Sequence, residues 1–251
     1  MPAKQFLKRT PLYPLLRAVR EAFRTKSATE LAERRDARST AAILRRLIRP
    51  GDNGVDIGAH KGDILREFLR LSPTGSHVAA EPIPHLAEQL AVAFPTVAVH
   101  HAAASDTPGV LPFHVVTEAP AFSGLVPRLD LPPDAAVTRI EVPVVRLDDL
   151  VPADRPVRII KIDVEGAELG VLRGATGLLS RWRPWVLFEH GSAAAAYGTR
   201  TADIVGELAR HGLRVWHLGA WLEGKPPLSD EAFVAAVAAG DHWNFLAGPV
   251  N

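Results

Sequence analysis

Four short stretches place glycines, acids, a lysine or a histidine where an apolar run ends, and each has the residue types to hold a ligand. The first is Val55-Asp56-Ile57-Gly58-Ala59-His60-Lys61-Gly62. Glycines let the backbone turn sharply and approach a ligand closely. The spacing of Gly58 and Gly62 is neither the G-x-G-x-x-G that seats a pyrophosphate nor the G-K-[ST] ending of a P-loop. A turn of this kind suits a nucleoside ligand without phosphates, and Asp56 suits an ammonium group on that ligand. S-adenosylmethionine has both properties.

The second stretch, Ala80-Glu81-Pro82, puts an acid 19 residues after Gly62. That is the spacing at which a carboxylate accepts hydrogen bonds from ribose hydroxyls in dinucleotide-binding sheets. The third is Ile159-Ile160-Lys161-Ile162-Asp163-Val164-Glu165-Gly166-Ala167-Glu168. Strand alternation puts Lys161 and Asp163 on one side. Asp163 and Glu165 then project near the crevice, where carboxylates must be solvated, paired or functional. Glu168 reads as a first-turn acid favoured by the helix dipole. The fourth, Phe188-Glu189-His190-Gly191, offers a histidine that could act as a base. Asp163, Glu165, Glu189 and His190 together are also an oxygen-rich ligand set for Mg²⁺, Mn²⁺ or Ca²⁺, an alternative that leaves metal dependence open.

These residues need a scaffold that gathers strand ends. Arg49-Pro50-Gly51-Asp52 punctuates the chain, and beyond it β-branched runs alternate with helical segments. Strands are expected near 53–58, 76–81 and 97–101, with helices over 62–72 and 84–93. A Pro-rich stretch, 107–156, with strand-like runs at 111–116 and 140–145, reads as an inserted hairpin or ribbon beside the ligand crevice. Strands at 157–164, 185–189, 213–218 and 242–246 and helices at 167–180 and 201–211 complete the pattern. The fold expected is α/β, a doubly wound and mostly parallel sheet of about seven strands, in a domain spanning 49–251. Residues 1–48 read as a helical arm of two helices, 15–26 and 28–48. Their apolar stripes are Leu16, Val19, Ala22 and Phe23, then Ala41, Leu44, Leu47 and Ile48.

The chain has 251 residues, 47% of them apolar, and no cysteine. Disorder, a disulfide framework and thiolate chemistry are thereby excluded. The net charge of +1 conceals an asymmetry: residues 1–49 carry 13 basic against 4 acidic residues, and the other 202 carry 16 against 24. A net +9 arm on a net −8 body points to an anionic surface, such as a membrane, or to a subunit contact made by the arm. Nucleic acid is disfavoured as a partner by the acidic body and by the lack of an Asn-Pro-Pro-Tyr-type signature after Trp185-Val186-Leu187-Phe188. The opening MPAKQFLKRTPLYPLL is interrupted by Pro2, Pro11 and Pro14, so no secretory signal is expected, and the localisation expected is cytoplasmic or peripheral at a membrane.

The combined motifs resemble the FkbM family of S-adenosylmethionine-dependent methyltransferases. The similarity rests on VDIGAHKGD (55–63), AEP (80–82), AASD (103–106), VVRLDDL (144–150), KIDVEGAE (161–168), LRGA (172–175) and RPWVLFEH (183–190). It covers about 50 to 250 and leaves out 1–48. The resemblance implies a class I methyltransferase fold and methyl transfer to a hydroxyl oxygen of a sugar, glycan or secondary metabolite. It implies that Asp56 and the turn Gly58, Ala59, His60 and Gly62 border the methionine part of the cofactor. By the same resemblance Glu81 holds ribose, Ser105 and Asp106 edge the adenine, and Asp163 lies near the sulfonium. His60 departs from the family, which usually has Asn there. Ser-Gly-Leu at 123–125 resembles a small-residue motif of the inserted segment and suggests that Ser123 faces the pocket.

Methyl transfer to a hydroxyl needs alignment of the acceptor oxygen with the S–CH₃ bond and removal of a proton. Alignment can lower a barrier by roughly 7–11 kcal/mol, and a positioned base adds about 10²–10⁴-fold in rate. His190 or Glu165 is the expected base, with Asp163 organising the junction. The competing reading is a protein that binds the cofactor as a scaffold without turning it over.

Overall fold

The computed structural model describes residues 13–128, 131–132 and 135–250, with side chains described from residue 30 onward. The first helix, α1, runs without a break over Tyr13–Leu47, where two helices were expected. The reason is in the sequence: no Gly or Pro lies between Leu15 and Ile48, so nothing interrupts the ladder. The stripe Leu16, Val19, Ala22 and Phe23 lies outside the described side chains. Two compact units divide the chain, one ending at Thr40 and the other starting at Ala41. The second unit thus begins before residue 49 and includes the end of α1.

The seven-stranded sheet is built from β1 (Gly54–Ile57), β2 (Val78–Ala80), β3 (Ala98–His100), β7 (Ile159–Ile162), β8 (Trp185–Glu189), β9 (Leu213–His217) and β10 (Asn244–Pro249). Their order is β3-β2-β1-β7-β8-β10-β9. All neighbours are parallel except β10, which is antiparallel to both β8 and β9. The order in which strands are added reverses between the parallel neighbours β1 and β7, the switch point where α/β sheets open a crevice beyond their carboxyl ends.

Helices α2 (Asp63–Leu71), α3 (Pro84–Ala93), α4 (Leu147–Leu150), α5 (Glu168–Arg173), α6 (Thr176–Trp182), α7 (Thr201–Arg210), α8 (Leu218–Leu222) and α9 (Asp230–Ala239) complete the unit. The helix expected over 167–180 is split into α5 and α6 around Gly174 and Ala175, and α8 and α9 were not foreseen. Period-2 alternation supplies two cores. Val55, Ile57, Val78, Ile160, Ile162, Val186 and Phe188 pack with residues of α5, α6, α7 and α9. Ala79, Ile159, Leu187 and Leu246 pack on the other face with Ile43, Leu44, Leu47, Leu65, Phe68 and Leu218.

The insertion forms a second, three-stranded sheet. Strand β5 (Gly109–Val116) pairs antiparallel with β6 (Val137–Val145), and the short β4 (Ala103–Ala104) lies parallel along the other edge of β6. Phe113, Val142, Val144, Ala103, Ile83 and Leu86 form its core, which brings the ribbon beside the ends of β2 and β1. Among the described residues, no helix is long and apolar enough to cross a membrane.

Candidate active site

The crevice at the switch point is walled by Ile57, Gly58 and His60 after β1, Glu81, Pro82 and Ile83 after β2, and Asp163, Val164 and Glu165 after β7. The insertion closes it with Ala103, Ala104, Phe113, Pro120, Ala121, Ser123 and Leu125. Gly58 is required here. It sits at φ +77°, and a Cβ on it would lie 1.9 Å from the carbonyl oxygen of Asp163. Its N–H and that of Ala59 both donate to the Ala80 carbonyl, at 3.0 and 3.2 Å, so the turn is tied to β2 as well as pressed on β7. His60 and Glu165 hold φ of +47° and +56°, unusual for residues with a side chain, and both face this crevice.

Glu81 is fixed at the wall of the crevice. One carboxylate oxygen accepts the His60 N–H at 2.8 Å and the other the Ile83 N–H at 2.9 Å. Each oxygen keeps a second lone pair for a hydroxyl. Burial pushes its pKa up, opposed by those two N–H groups. Beside it Ile83, Ala103, Ala104, Phe113 and Leu125 make an apolar slot of the kind a flat heterocycle fills. A polar end, a glycine approach and an apolar slot fit S-adenosylmethionine.

Of the residues expected to hold the cofactor, Gly58, His60, Glu81 and Asp163 line the crevice, as does Ser123, whose hydroxyl accepts the Val116 N–H at 3.0 Å. The structure places the others behind it. Asp56 points into the sheet face beside Lys161, which is its register partner on β7. Asp56 is 2% exposed with one carboxylate oxygen unbonded. Burial pushes its pKa up to about 7, against the pull of Lys161. Ala59 is buried in the core around α2, and Gly62 caps α2 against Phe94 and Leu90. Ser105 and Asp106 miss the crevice because β4 ends at Ala104. The Ser105 N–H donates to Val145, and its side chain packs over Gly170. This edge of the crevice is formed by Ala103 and Ala104, and Ser105 and Asp106 do not line it.

At the mouth of the crevice, Asp163, Glu165 and Glu189 offer carboxylate oxygens within 4.8 Å of one another. His190 is not with them. Adjacent residues on β8 face opposite ways, and the His190 ring stacks by Phe233 with Nε2 3.1 Å from the Thr201 hydroxyl. Burial holds it neutral, down to about 4. The expected four-residue metal set is thus reduced to three. Two of those three already have a protein cation: Lys161 Nζ donates to Asp163 at 2.9 Å, and Arg128 pairs with Glu165. Lys161 is buried, which works against its charge, yet Asp163, Glu189 and Asp56 around it raise its pKa. With the positive charge supplied by Lys161 and Arg128, the donor set does not call for an ion.

Burial and repulsion from Asp163 push Glu165 up to about 7 despite Arg128. Burial pushes Glu168 to about 7 against the Gly166 N–H bonded to it, and burial with repulsion from Asp163 and Glu165 takes Glu189 to about 8. Sequence reasoning missed Arg128, which comes from an aperiodic part of the insertion and carries no motif. It also missed Ile83, Phe113 and Leu125, whose apolar character marks core as readily as binding.

No curated protein matches the chain. Among solved structures it is similar to the methyltransferase FkbM of Methylobacillus flagellatus, at 15% identity and TM-score 0.47. The similarity covers 83% of this chain and 50% of that one, so the chain spans half that protein's length. A TehB-like SAM-dependent methyltransferase of Corynebacterium glutamicum is similar at 11% identity and TM-score 0.45, over 90% of this chain and 100% of the other. Fibrillarin of Aeropyrum pernix, with natively bound S-adenosyl-L-methionine, is similar at 15% identity and TM-score 0.43, over 83% and 73%. Residues 56–215, more than half of the chain, match the model described as the methyltransferase FkbM domain. The chain belongs to the FkbM family of S-adenosylmethionine-dependent methyltransferases.

Proposed function

We propose that this domain transfers a methyl group from S-adenosylmethionine to a hydroxyl oxygen of a neutral acceptor, a sugar, glycan or secondary metabolite. The observation that carries the reading is Glu81, fixed by two backbone N–H groups at a strand end with lone pairs left over, in the crevice that Gly58 and Asp163 also line. When bound, the cofactor supplies an electrophilic methyl group on a sulfonium. Gly58 lets the backbone come close to it, Glu81 takes the ribose hydroxyls, and Asp163 puts a negative charge where the sulfonium lies. Beyond Asp163 stand Glu165, Glu168 and Glu189, and this acidic surround favours a neutral acceptor over a phosphorylated one. For the basic stretch 1–49 we propose association with an anionic membrane surface or a second subunit, separate from the reaction.

Titrating the full chain with S-adenosylmethionine and S-adenosylhomocysteine, then following labelled methyl into hydroxyl compounds, tests the reading. Tight binding with no transfer to any of them would favour the scaffold. Glu81→Gln removes a charged acceptor, and a hydrogen bond to a charged group contributes about 1.5–3 kcal/mol. Both ligands should bind roughly 10- to 100-fold more weakly; unchanged affinity would take Glu81 out of the ribose site.

Because Lys161 and Arg128 already pair with Asp163 and Glu165, methyl transfer should survive exhaustive chelation with EDTA. Loss of activity that one divalent ion restores would instead put that ion among Asp163, Glu165 and Glu189.

A further inference from the structure

A second cavity opens behind the acid cluster, between the end of β8, the turn after it and the C-terminal end of α9. Glu165, Glu189, Ser192, Gly240, His242 and Trp243 are on its wall. Glu165 also lines the crevice, so the two spaces share that residue, with Asp163 on the crevice side and Glu189 on the cavity side, their carboxylate oxygens within 4.8 Å of one another. Resting on the methyl-transfer reading, we propose that this second cavity is the acceptor site and that Glu189 is the catalytic group that takes the acceptor's proton.

Position, and the contacts already made by the other acids and by His190, single out Glu189. Asp163 is held by Lys161 Nζ, and Glu165 by Arg128. Glu168 is 1% exposed, with one oxygen on the Gly166 N–H. His190 borders the same cavity but is 2% exposed, with Nε2 at the Thr201 hydroxyl and its ring beside Phe233. Glu189 is half-buried on the cavity's wall, within 4.8 Å of Asp163 and Glu165, and among the described residues its carboxylate accepts no hydrogen bond. Trp243 lines the same cavity, an aromatic side chain of the kind that packs on a sugar or carbocyclic ring.

In the step, the acceptor oxygen's lone pair forms the O–CH₃ bond, the C–S pair stays on sulfur as a thioether, and the hydroxyl proton passes to a Glu189 oxygen, later lost to water. The charged and titratable groups facing Glu189 are Lys161 and Asp163 on β7, Glu165 and Glu168 from the turn into α5, Arg128 from the insertion, and His242 ahead of β10, where Asn244 is its register partner. The acids and burial favour its protonated form, and a sulfonium in the neighbouring crevice favours the ionised one.

The test compares the sulfonium ligand S-adenosylmethionine with its neutral thioether S-adenosylhomocysteine by calorimetry from pH 6 to pH 9, using the full chain. The preference for the sulfonium should grow on the order of tenfold as Glu189 ionises, one pKa unit of coupling being a tenfold effect. In Glu189→Gln that slope should flatten. With simple methyl glycosides as acceptor probes, Glu189→Gln should lower kcat by about 10²- to 10⁴-fold, and Glu189→Asp should recover part of it; Glu189→Asp also serves should the glutamine variant fail to fold. An undiminished slope in Glu189→Gln, or undiminished turnover, overturns the proposal and leaves methyl transfer standing. If the wild-type chain does not bind S-adenosylmethionine, or binds it and methylates no hydroxyl, the methyl-transfer reading fails instead.

Discussion

Gly58→Ala should weaken binding of S-adenosylmethionine and S-adenosylhomocysteine by at least about 100-fold. The reason is backbone against backbone. A residue with a Cβ costs roughly 1–2 kcal/mol in the left-handed region that Gly58 occupies at φ +77°. The new Cβ would then stand 1.9 Å from the Asp163 carbonyl oxygen and 3.0 Å from its carbon. A side chain could swing away, but this carbonyl cannot, because the Asp163 N–H donates to Ile57 at 3.0 Å and locks the two strand ends together. Overpacking of this kind costs typically about 1–3 kcal/mol. Relief requires β1 and β7 to part at the point where Asp163 enters the crevice, so the strain falls on the binding site. A factor of ten in affinity is about 1.4 kcal/mol, which sets the expected loss. Calorimetric titration of both ligands checks it, with a melting curve to register the accompanying loss of stability. Wild-type affinity in a folded Gly58→Ala chain would mean that the crevice is not the cofactor site.

How far the sequence reveals this site follows from the kind of physics each residue obeys. Gly58, Glu81 and Asp163 are legible because a parallel sheet with a switch point puts its ligand at strand ends, and strand ends can be read from apolar runs. Period-2 alternation placed Lys161 and Asp163 on one side, where they are bonded at 2.9 Å. The same rule, applied to Glu189 and His190, sends neighbouring side chains to opposite faces, so the separation of His190 from the acid cluster was present in the pattern. The unbroken α1 was legible in the same way, from the lack of Gly and Pro between Leu15 and Ile48.

Other features depend on contacts between distant segments and leave no local mark. Arg128 meets Glu165 across 37 positions of sequence through an aperiodic loop. Ser105 turns from the crevice because Gly170 on α5 and Gly174 just after it leave room for it, a packing choice with no signal near residue 105. Asp56 is the instructive case: the motif that contains it marks the turn that lines the crevice, yet its position on β1 puts it beside Lys161 and out of the crevice.

A chain beginning at Arg49 should fail to fold, whereas one beginning at Ala41 should keep the fold and the cofactor site. Ile43, Leu44, Leu47 and Ile48 are 0%, 0%, 3% and 7% exposed and pack with Leu65, Phe68, Ile159, Leu187, Leu218 and Leu246. Truncating one buried Leu or Ile to Ala typically costs about 2–5 kcal/mol, and removing all four would exhaust the roughly 5–15 kcal/mol that holds a domain folded. Two hydrogen bonds go with them, from Arg158 to the Leu47 carbonyl at 2.9 Å and from Arg46 to the Leu222 carbonyl at 2.7 Å. Circular dichroism melts of the two truncated chains decide this. An Arg49 chain melting like the whole protein would show that the last turns of α1 are dispensable. The cut also reassigns charge. Ten of the 13 basic residues of 1–49 precede Ala41 with four acids, so that stretch carries +6 and the unit from Ala41 onward carries −5. The chain beginning at Ala41 therefore isolates the basic segment. Binding of the whole protein, but not of the Ala41 chain, to vesicles rich in anionic lipid would assign membrane association to residues 1–40, and equal binding by both would remove it from them.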